Sequence, residues 1–426
     1  MILSFQQAVL LCGGLGTRLR PLTDNIPKPM VPVNRKPFLY YLLHQLSEQG
    51  IKRFVLLTGY LGEQILTYFG DGSAWGWEIT YSSGPAEWDT GRRIWEAKEL
   101  FDPKFLLLYS DNFVQVRLQT LDKLHQQLTV PISLVLAPKV NGNISISETG
   151  SITAYDKNRK GEGFDYVEVG YMIIERNQVL GGFNSYAGFP DFNFSLVLQK
   201  FADEGKLAGL IVRDPYHSIS DPERWEKMCE YLMPKKILLI DRDGTINKKA
   251  PKGEYITVWD DFEFITETYD AMKLLAEEGF QFIIITNQAG IARGKMTKAD
   301  LESLHQKMLE KFKEDKIDIL RIYYSPHHWE ENSFMRKPNP GMFFEAAKEF
   351  NLRLDNCLYI GDDERDCEAA YHAGCGMIYL SQNQSTLNKT NMPSPSSVFH
   401  TLTEAVTLII SLYASWTKSP VDSEPR

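Results

Sequence analysis

The sequence of 426 residues has few cysteines and no excess of positive charge. Its five cysteines are odd in number and show no Cys-x-x-Cys spacing, so we expect a reducing compartment and no cysteine-based zinc site. Lysine and arginine number 46 against 55 aspartates and glutamates, which gives a net charge of −9. Such a chain has no bulk attraction for polyanions, which argues against nucleic acid as a partner.

Long hydrophobic runs are absent as well. No stretch reaches the roughly 18 apolar residues of a membrane span, and the N-terminal MILSFQQAVLLCGG lacks the basic segment of a signal peptide. We therefore expect a cytoplasmic protein without a membrane span. Hydrophobic residues at 43% and charged residues at 24% are typical of globular proteins, and the length allows about two or three domains.

Two strand-like segments each lead into a polar loop that contains glycine, and strands and helices alternate after both. The two beginnings read QQAVLLCGGLGTRLRP and KKILLIDRDGT. Because such alternation requires crossover connections, it predicts parallel sheets with helices on both faces. We expect an α/β protein with two doubly wound domains, at 1–233 and 236–382. A polar linker and a helical tail, with its helix at 398–416, are predicted over 383–426.

The first loop, GGLGTRL at 13–19, follows a strand and precedes Pro-Lys-Pro at 27–29. A Walker A loop requires Lys-Ser/Thr directly after its last glycine, and a Rossmann fingerprint requires glycine where Leu19 stands, so both motifs are excluded. The backbone N–H groups of a glycine turn can approach phosphates, which Arg18 and Lys28 would neutralise. A plain structural turn is the alternative, but the length of the cluster favours a nucleotide site.

With this loop, residues 1–233 resemble the sugar-1-phosphate nucleotidyltransferases, Rossmann-like enzymes that join a nucleoside triphosphate to a sugar 1-phosphate and release pyrophosphate. The resemblance implies that Lys28 and Arg18 stabilise the charge that develops at the α-phosphorus. Asp111, at the end of the strand FLLLYSD, would bind Mg²⁺. The residues implied to hold the nucleotide are Gly13, Gly14, Gly16, Thr17, Arg18, Lys28, Thr90, Gly91 and Asp111. For the sugar phosphate, Lys157 is implied to bind the phosphate, and Glu168 and Gly170 lie in the segment implied to contact the sugar hydroxyls.

The resemblance is incomplete at the expected second metal ligand. Relatives commonly read Asp-Ile-Gly-Thr-Pro there, whereas this chain reads SISDP at 218–222, with Ser218 in the ligand position. A hydroxyl is a poor replacement because Mg²⁺ prefers anionic oxygen. We still expect nucleotide transfer, because the triphosphate supplies oxygens of its own and Asp111 is present. The alternative is a degenerate first half that only binds a sugar nucleotide.

The second loop, DRDGT at 241–245, follows the strand KKILLI. A carboxylate at a strand end can attack a phosphoryl group and form an aspartyl phosphate, and a second carboxylate two residues later can act as acid and base. Three further segments follow: Thr-Asn-Gln at 286–288, Lys337 in Arg-Lys-Pro, and GDDERD at 361–366. An open parallel sheet would bring these segments together at one edge.

This order of motifs is that of the dehalogenase-superfamily (HAD) phosphatases, whose fold has a mainly parallel sheet. DRDGTIN, TNQAGIARG, RKPNPGM and GDDERD further resemble the D-glycero-D-manno-heptose 1,7-bisphosphate phosphatases and the histidinol phosphatases. Asp241 would be the nucleophile and Asp243 the acid and base, with Thr286 and Lys337 on the phosphoryl oxygens. The Mg²⁺ site would comprise Asp241, Asp243 through its carbonyl, and Asp362, supported by Asp363 or Asp366. The residues implied to lie near the substrate are Asn287, Arg293 and Arg336.

The zinc loop that is usual in this subgroup is not matched. Its one histidine and three cysteines correspond here to SPH at 325–327 and SFM at 333–335, so only His327 is present. One histidine cannot form a tetrahedral site, and no zinc is expected.

Together the two resemblances imply consecutive reactions on small-molecule substrates. A heptose bisphosphate would be dephosphorylated with Mg²⁺, and the resulting sugar 1-phosphate would react with a nucleoside triphosphate, GTP favoured and CTP the alternative. A non-catalytic scaffold built on two enzyme folds is the alternative from another class. The intact Asp241, Asp243, Lys337 and Asp362 argue against it.

Overall fold

The structure, a computed structural model, describes residues 3–158, 161–183, 191–251, 253–381 and 395–417. The chain forms two compact units, the first ending at Leu232 and the second beginning at Met233. Both units are α/β, as the sequence predicts. The predicted linker at 383–394 lies outside the described residues. In the described ranges, no helix combines the length and the hydropathy needed to cross a membrane.

The first unit is built from short strands and helices. Its strands are β1 (Gln7–Cys12), β2 (Pro32–Val33), β3 (Lys36–Pro37), β4 (Arg53–Thr58), β5 (Glu78–Ser83), β6 (Lys104–Tyr109), β7 (Asn112–Val114), β8 (Ile132–Pro138), β9 (Ile144–Ile146), β10 (Ile152–Tyr155), β11 (Tyr166–Glu175), β12 (Leu207–Ile211) and β13 (Tyr216–Ser218). Its helices are α1 (Phe38–Glu48), α2 (Gly62–Phe69), α3 (Thr90–Glu96), α4 (Leu118–Leu128), α5 (Arg176–Phe183), α6 (Phe194–Asp203) and α7 (Pro222–Tyr231).

Nine of these strands form one mixed sheet in the order β10-β9-β11-β6-β1-β4-β5, with β8 beside β11 and β12 beside β8. Successive side chains of β1 enter two buried clusters: Ala8 and Leu10 face one, Val9 and Leu11 the other. The sheet is therefore covered on both faces. β1 is parallel to β4 and β6, but β11 is antiparallel to β6 and β8. The predicted α/β fold is confirmed, but this sheet is mixed rather than parallel throughout, because β8 is followed by the antiparallel pair β9–β10 rather than by a crossover helix.

The edge of this sheet at the carboxyl ends of β1 and β6 carries the predicted nucleotide loops. β1 ends at Cys12, directly before the glycine loop, and β6 ends at Tyr109, two residues before Asp111. β7 pairs antiparallel with β13, with Asn112 opposite Ser218. This small ribbon brings the two positions considered as metal ligands to the same end of the sheet.

The second unit has a six-stranded sheet in which all strands are parallel, in the order β16-β15-β14-β17-β18-β19. Its strands are β14 (Ile237–Ile240), β15 (Gln281–Asn287), β16 (Ile319–Ser325), β17 (Leu358–Gly361), β18 (Gly376–Leu380) and β19 (Ser397–Phe399). Its helices are α8 (Thr266–Glu277), α9 (Lys298–Glu314), α10 (Gly341–Phe350), α11 (Glu364–Ala373) and α12 (Leu402–Thr417). The predicted parallel sheet is confirmed, and the neighbouring ends of β14, β15 and β17 carry the phosphatase-like motifs.

The segment predicted as a linker and tail extends the second unit instead. Residues 397–399 form β19, although the sequence analysis places a helix from residue 398. Val398 and Phe399 are of the β-branched and aromatic types that suit a strand, and here they complete the sheet edge beside β18. α12 packs against α8 and buries Ile409 and Tyr413, whose hydroxyl donates to the carbonyl of Ile237. The predicted boundary at 382 was therefore wrong for the described part of this segment.

Replacing Ile409 with alanine tests whether α12 belongs to the core. Ile409 is fully buried, so its truncation leaves a cavity that costs about 2–5 kcal/mol. We expect the free energy of unfolding of the second unit to fall by that amount in denaturant titrations. Thr407→Ala, on the exposed face of the same helix, should change it by less than about 0.5 kcal/mol. Equal stability of the two variants would contradict this packing of α12.

Candidate active sites

A cavity of about 320 Å³ opens in the first unit at the carboxyl ends of β1 and β6. Gly91 does not line it, because this residue is buried in α3 against Phe192, where a Cβ would clash. Beside it, the hydroxyl of Thr90 accepts a hydrogen bond from the backbone N–H of Phe194. The other residues predicted to hold the nucleotide line the cavity: Gly13, Gly14, Gly16, Thr17, Arg18, Lys28, Thr90 and Asp111.

Glycine is required at position 16 of the loop. Gly16 has φ +64°, in the left-handed region, and a Cβ there would lie 3.1 Å from side-chain carbons of Lys28 and Thr23. The hydroxyl of Thr23 donates to the carbonyl of Gly16 at 2.9 Å. The hydrogen bond from Thr23 therefore holds the loop, and the side chains of Lys28 and Thr23 leave no room for a larger residue at position 16.

Arg93, to which the sequence analysis gave no role, forms the floor of the cavity. It is 5% exposed, and its guanidinium donates to the carbonyls of Thr58 at 2.8 Å, Gly13 at 3.1 Å and Pro85 at 2.6 Å. A Cβ on Gly13 would overlap this guanidinium. Burial lowers the pKa of Arg93, yet arginine stays charged in proteins. The buried guanidinium of Arg93 thus connects the glycine loop at Gly13 to the segments at Thr58 and Pro85.

Lys28 and Asp111, assigned to phosphate and to metal, contact each other, with Nζ 2.6 Å from Oδ2. The buried Ser218 lies on the neighbouring strand β13, and its hydroxyl is 3.1 Å from that of Ser220. The guanidinium of Arg224 donates to both serines, at 3.3 and 3.1 Å. Asp111 is therefore the carboxylate beside Lys28, and Asp89 is a second carboxylate that lines the cavity. One or two carboxylates suffice for Mg²⁺ when phosphates supply further oxygens.

The three residues assigned to the sugar phosphate do not line this cavity. Lys157 lies in the turn after β10, where its backbone N–H donates to Gln199. Gly170 has φ +82° within β11, and a Cβ there would lie 2.7 Å from the ring of Tyr109. After burial, the charge of Glu168 is the largest cause that raises the pKa of Tyr109. Tyr109 lines the cavity, so Gly170 and Glu168 lie near a residue of its wall without lining it themselves.

A second cavity, of about 790 Å³, lies at the carboxyl ends of β14 and β15 in the second unit. Asp362 is not among its lining residues, yet oxygens of Asp241, Asp362 and Asp366 lie within 4.8 Å of one another. This spacing suits a divalent cation held by oxygen ligands. The other predicted residues line the cavity: Asp241, Asp243, Thr286, Asn287, Arg293, Arg336 and Lys337.

Lys337 connects the candidate nucleophile to the rest of the site. Its Nζ lies 2.8 Å from Oδ1 of Asp241 and 2.7 Å from Oδ1 of Asp366, and it donates to the hydroxyl of Tyr359 at 2.7 Å. Burial opposes the charge of Lys337, but the two carboxylates outweigh it and raise the pKa of the lysine. Burial raises the pKa of Asp241, against the attraction of Lys337. The raised pKa of Asp241 therefore reflects its removal from water, which the attraction of Lys337 only partly offsets.

Asp366 and Asp363 differ in what they contact. Oδ2 of Asp366 accepts hydrogen bonds from the backbone N–H groups of Asp362 at 3.2 Å and Asp363 at 3.1 Å. Asp366 therefore holds both this loop and Lys337. Asp363 instead pairs with Arg365 at 2.8 Å. Burial opposes this charge, but Arg365 outweighs it and lowers the pKa of Asp363. The Asp-x-x-Asp spacing of 363–366 is a helix-capping pattern, which could have predicted that both carboxylates bind backbone N–H groups at the start of α11.

Asp243 is held by donors on both carboxylate oxygens. Oδ1 accepts from Arg242 at 2.8 Å and from Asn247 at 3.0 Å, and Oδ2 accepts from Gln288 at 2.7 Å. Burial opposes its charge, but Arg242 and the amide donors outweigh it and lower the pKa of Asp243. The fully buried Arg242 also donates to Nε2 of His305 at 3.0 Å. Burial and Arg242 lower the pKa of His305 to about 3, so its imidazole is neutral.

Asn287 and Thr286 support the centre from the end of β15. The amide of Asn287 donates to the carbonyl of Lys337 and accepts its N–H, both at 3.0 Å. The hydroxyl of Thr286 accepts from Gln288 at 3.0 Å. Asn287 thus positions Lys337 rather than projecting alone toward a substrate.

Two arginines line the wider part of the cavity. The guanidinium of Arg293 lies 5.0 Å from the ring centre of Trp329 and donates to the hydroxyl of Tyr255 at 3.3 Å. Arg336 is 8% exposed and donates to the carbonyl of His327 at 3.0 Å. Neither arginine forms an ion pair with a carboxylate of the described residues. Both therefore present positive charge to the cavity.

The histidines of the unmatched zinc loop face glutamates. Nδ1 of His327 lies 2.7 Å from Glu331, and Nδ1 of His328 lies 3.4 Å from Glu330. The one group of three metal-binding side chains found in the described parts of the chain is that of Asp241, Asp362 and Asp366. The absence of zinc stays a prediction.

A glycine-loop cavity in one α/β unit and a carboxylate–lysine centre in the other define a protein with two sites for phosphate chemistry. Comparisons with known proteins agree with this class. Residues 7–156 match the family model described as nucleotidyl transferase, and residues 236–415 match that described as polynucleotide kinase 3 phosphatase.

The curated relatives are phosphatases. The chain is 38% identical over 150 residues to the D-glycero-beta-D-manno-heptose-1,7-bisphosphate 7-phosphatase of Escherichia coli (strain K12). The matched segment covers 34% of this chain and 77% of that protein. It is 31% identical over 170 residues to the D-glycero-alpha-D-manno-heptose-1,7-bisphosphate 7-phosphatase of Photorhabdus laumondii. That match covers 38% of this chain and 90% of the relative. Through this part, the chain belongs to the heptose-1,7-bisphosphate 7-phosphatase family.

Two solved structures are similar to parts of this chain. The D,D-heptose 1.7-bisphosphate phosphatase from B. bronchiseptica, complexed with magnesium and phosphate, is 26% identical and covers 41% of this chain and 98% of its own, with a TM-score of 0.39. HddC from Yersinia pseudotuberculosis is 23% identical, and the match covers 53% of this chain and 99% of HddC, with a TM-score of 0.44. The protein is an enzyme in which a nucleotidyltransferase domain is joined to a phosphatase domain.

Replacing Arg93 with leucine tests the floor of the first cavity. The substitution removes the donors of three carbonyls, and each unsatisfied buried group costs about 1–3 kcal/mol. We expect the free energy of unfolding of the first unit to fall by about 2–4 kcal/mol in denaturant titrations. Arg92→Leu is the control, because Arg92 makes a partly exposed ion pair with Glu96 and lies over the ring of Trp88 but donates to none of these three carbonyls, so its loss should cost less than about 1 kcal/mol. A similar loss in both variants would refute the role given to Arg93.

Proposed function

We propose that the second domain removes a phosphate from a sugar bisphosphate, with Mg²⁺ as cofactor and Asp241 as nucleophile. The observation that carries this proposal is the placement of Asp241 at the end of β14, 2.8 Å from Lys337 and beside Asp362. Asp241, Asp362 and the carbonyl of Asp243 offer the hard oxygens that Mg²⁺ prefers. When bound, Mg²⁺ would reduce the repulsion between the carboxylate and the phosphoryl group.

The side chains can be assigned to the steps of this hydrolysis. A carboxylate oxygen of Asp241 attacks phosphorus and the bond to the sugar oxygen breaks, while Asp243 transfers a proton to that oxygen. Arg242 and the amide donors lower the pKa of Asp243, so this role requires that the negative charge of the bound phosphoryl group raise it. Asp243 then takes a proton from the water that attacks the aspartyl phosphate, which releases inorganic phosphate and restores Asp241. Lys337 and Thr286 neutralise the phosphoryl oxygens during both steps.

The size and charge of the second cavity support a bisphosphate substrate. Its volume is about 790 Å³, and Arg293 and Arg336 line it together with Asp241. These guanidiniums would bind the phosphate that is not cleaved. The names of the curated relatives favour heptose 1,7-bisphosphate, from which removal of the 7-phosphate leaves a sugar 1-phosphate.

We propose that the first domain transfers a nucleotidyl group from a nucleoside triphosphate, GTP favoured, to a sugar 1-phosphate. The sugar phosphate oxygen attacks the α-phosphorus, and the bond to the leaving pyrophosphate breaks. Arg18 and Lys28, which line the glycine-loop cavity, stabilise the charge that develops. Asp111 would hold Mg²⁺ together with oxygens of the triphosphate. The product of the phosphatase would then be the substrate of the transferase.

Asp241→Asn separates the two activities. An amide cannot act as the nucleophile, so we expect no phosphate release from sugar bisphosphates, whereas pyrophosphate release from a nucleoside triphosphate and a sugar 1-phosphate persists. Phosphate release should be measured with and without Mg²⁺ on a panel that includes a 3′-phosphorylated oligonucleotide. Asp355→Asn, at an exposed ion pair with Arg353, is the control. Loss of both activities in folded Asp241→Asn would refute the independence of the domains.

Ser218→Asp tests the metal requirement of the first domain. A second carboxylate should lower the Mg²⁺ concentration for half-maximal pyrophosphate release, and Asp111→Ala should abolish turnover. Because Arg224 lies 3.3 Å from the hydroxyl of Ser218, it would pair with the new carboxylate, so adding Arg224→Gln should lower that concentration further. If no pair of nucleoside triphosphate and sugar 1-phosphate yields pyrophosphate even with Ser218→Asp, the first domain only binds its ligand.

A further inference from the structure

Lys249 places an ammonium group on a candidate metal ligand of the phosphatase domain. Its Nζ lies 2.6 Å from Oδ2 of Asp362 and 3.8 Å from Oδ2 of Asp363. Its side chain lines the cavity that also contains Asp241 and Lys337. Lys249 lies outside the four motifs of this domain, so the phosphatase chemistry described above leaves it without a role.

The packing around Gly244 allows this close approach. Gly244 has φ +96°, and a Cβ there would clash with both Cε of Lys249 and the carboxylate of Asp362. The lysine stem therefore crosses the loop where only a glycine fits. Oδ1 of Asp362 accepts a hydrogen bond from the hydroxyl of Thr245 at 3.3 Å. Each oxygen of Asp362 thus has one partner, and the charged partner is Lys249.

Lys249 differs from the other cations of this centre in how firmly it is held. The side chain of Lys337 is 3% exposed and lies between Asp241 and Asp366, so it cannot move without uncovering buried carboxylates. Arg365 is paired with Asp363. The side chain of Lys249 is 44% exposed and ends a flexible stem. It can therefore leave Asp362 for water at little cost.

We propose that Lys249 is an exchangeable counterion of the metal site. It neutralises Asp362 while no metal is bound, yields this carboxylate when Mg²⁺ binds, and then offers its ammonium group to the phosphoryl oxygens in the cavity. This inference rests on the proposed phosphatase function. Because Lys249 and the metal require the same carboxylate, metal binding includes the loss of this ion pair, and removing the lysine should strengthen metal binding.

Binding of Mn²⁺, a paramagnetic substitute for Mg²⁺, tests the competition without an activity assay. Free Mn²⁺ is followed by electron paramagnetic resonance in titrations of the full chain, with Asp111→Ala in every variant to remove the candidate ligand of the first domain. We expect Lys249→Met to lower the Kd about 1.5- to fivefold, the range expected from the loss of one partly exposed ion pair. Lys248→Met is the matched control, since Lys248 pairs with the exposed Glu263 instead. It should leave the Kd unchanged.

A second titration tests what Lys249 does after the exchange. With Mn²⁺ saturating, we expect inorganic phosphate to bind Lys249→Met several-fold more weakly than Lys248→Met in calorimetry, because one cation of the cavity is missing. An unchanged or higher Kd for Mn²⁺ in Lys249→Met, or the same decrease in both variants, would overturn the inference and leave the phosphatase proposal standing. Failure of the parent protein to bind Mn²⁺ at all would overturn both.

Discussion

The phosphatase domain depends on the ion pairs that Lys337 forms with Asp241 and Asp366. Removing one member of a buried pair leaves an uncompensated charge, which typically costs about 3–5 kcal/mol. Together with Asn287, these three side chains join the ends of three strands, because Asp241 follows β14, Asp366 caps the loop after β17, and Asn287 at the end of β15 holds the backbone of Lys337. The ion pairs that hold Asp241, the proposed nucleophile, therefore also order the sheet edge on which it lies.

The nucleotidyltransferase domain uses a related solution with weaker pairing. Lys28 and Asp111 are in contact at the mouth of the cavity, and Arg93 beneath it is satisfied by carbonyls rather than by a carboxylate. A chain with a net charge of −9 cannot attract phosphates through its overall field. Both domains instead place a few cations beside the carboxyl ends of strands, where ion pairs and backbone carbonyls hold them.

The sequence predicted those parts of the structure that local motifs determine. The glycine loop, DRDGT and GDDERD each follow a buried strand, and the α/β rule correctly places them at sheet edges. Arg93, His305 and Lys249 were missed because their partners are distant in sequence or lie outside any motif. The antiparallel β11 and the core position of α12 were missed because they depend on tertiary pairing, which hydrophobic periodicity does not encode.

The central claim is that the two domains catalyse consecutive reactions. Phosphorus NMR of one mixture that contains the protein, Mg²⁺, heptose 1,7-bisphosphate and GTP tests it most directly. The account predicts that orthophosphate appears first, and that pyrophosphate and a sugar diphosphate signal then rise in equal amounts from the sugar 1-phosphate formed. The claim would be contradicted if orthophosphate formed but no pyrophosphate appeared, whether GTP or any other nucleoside triphosphate was supplied.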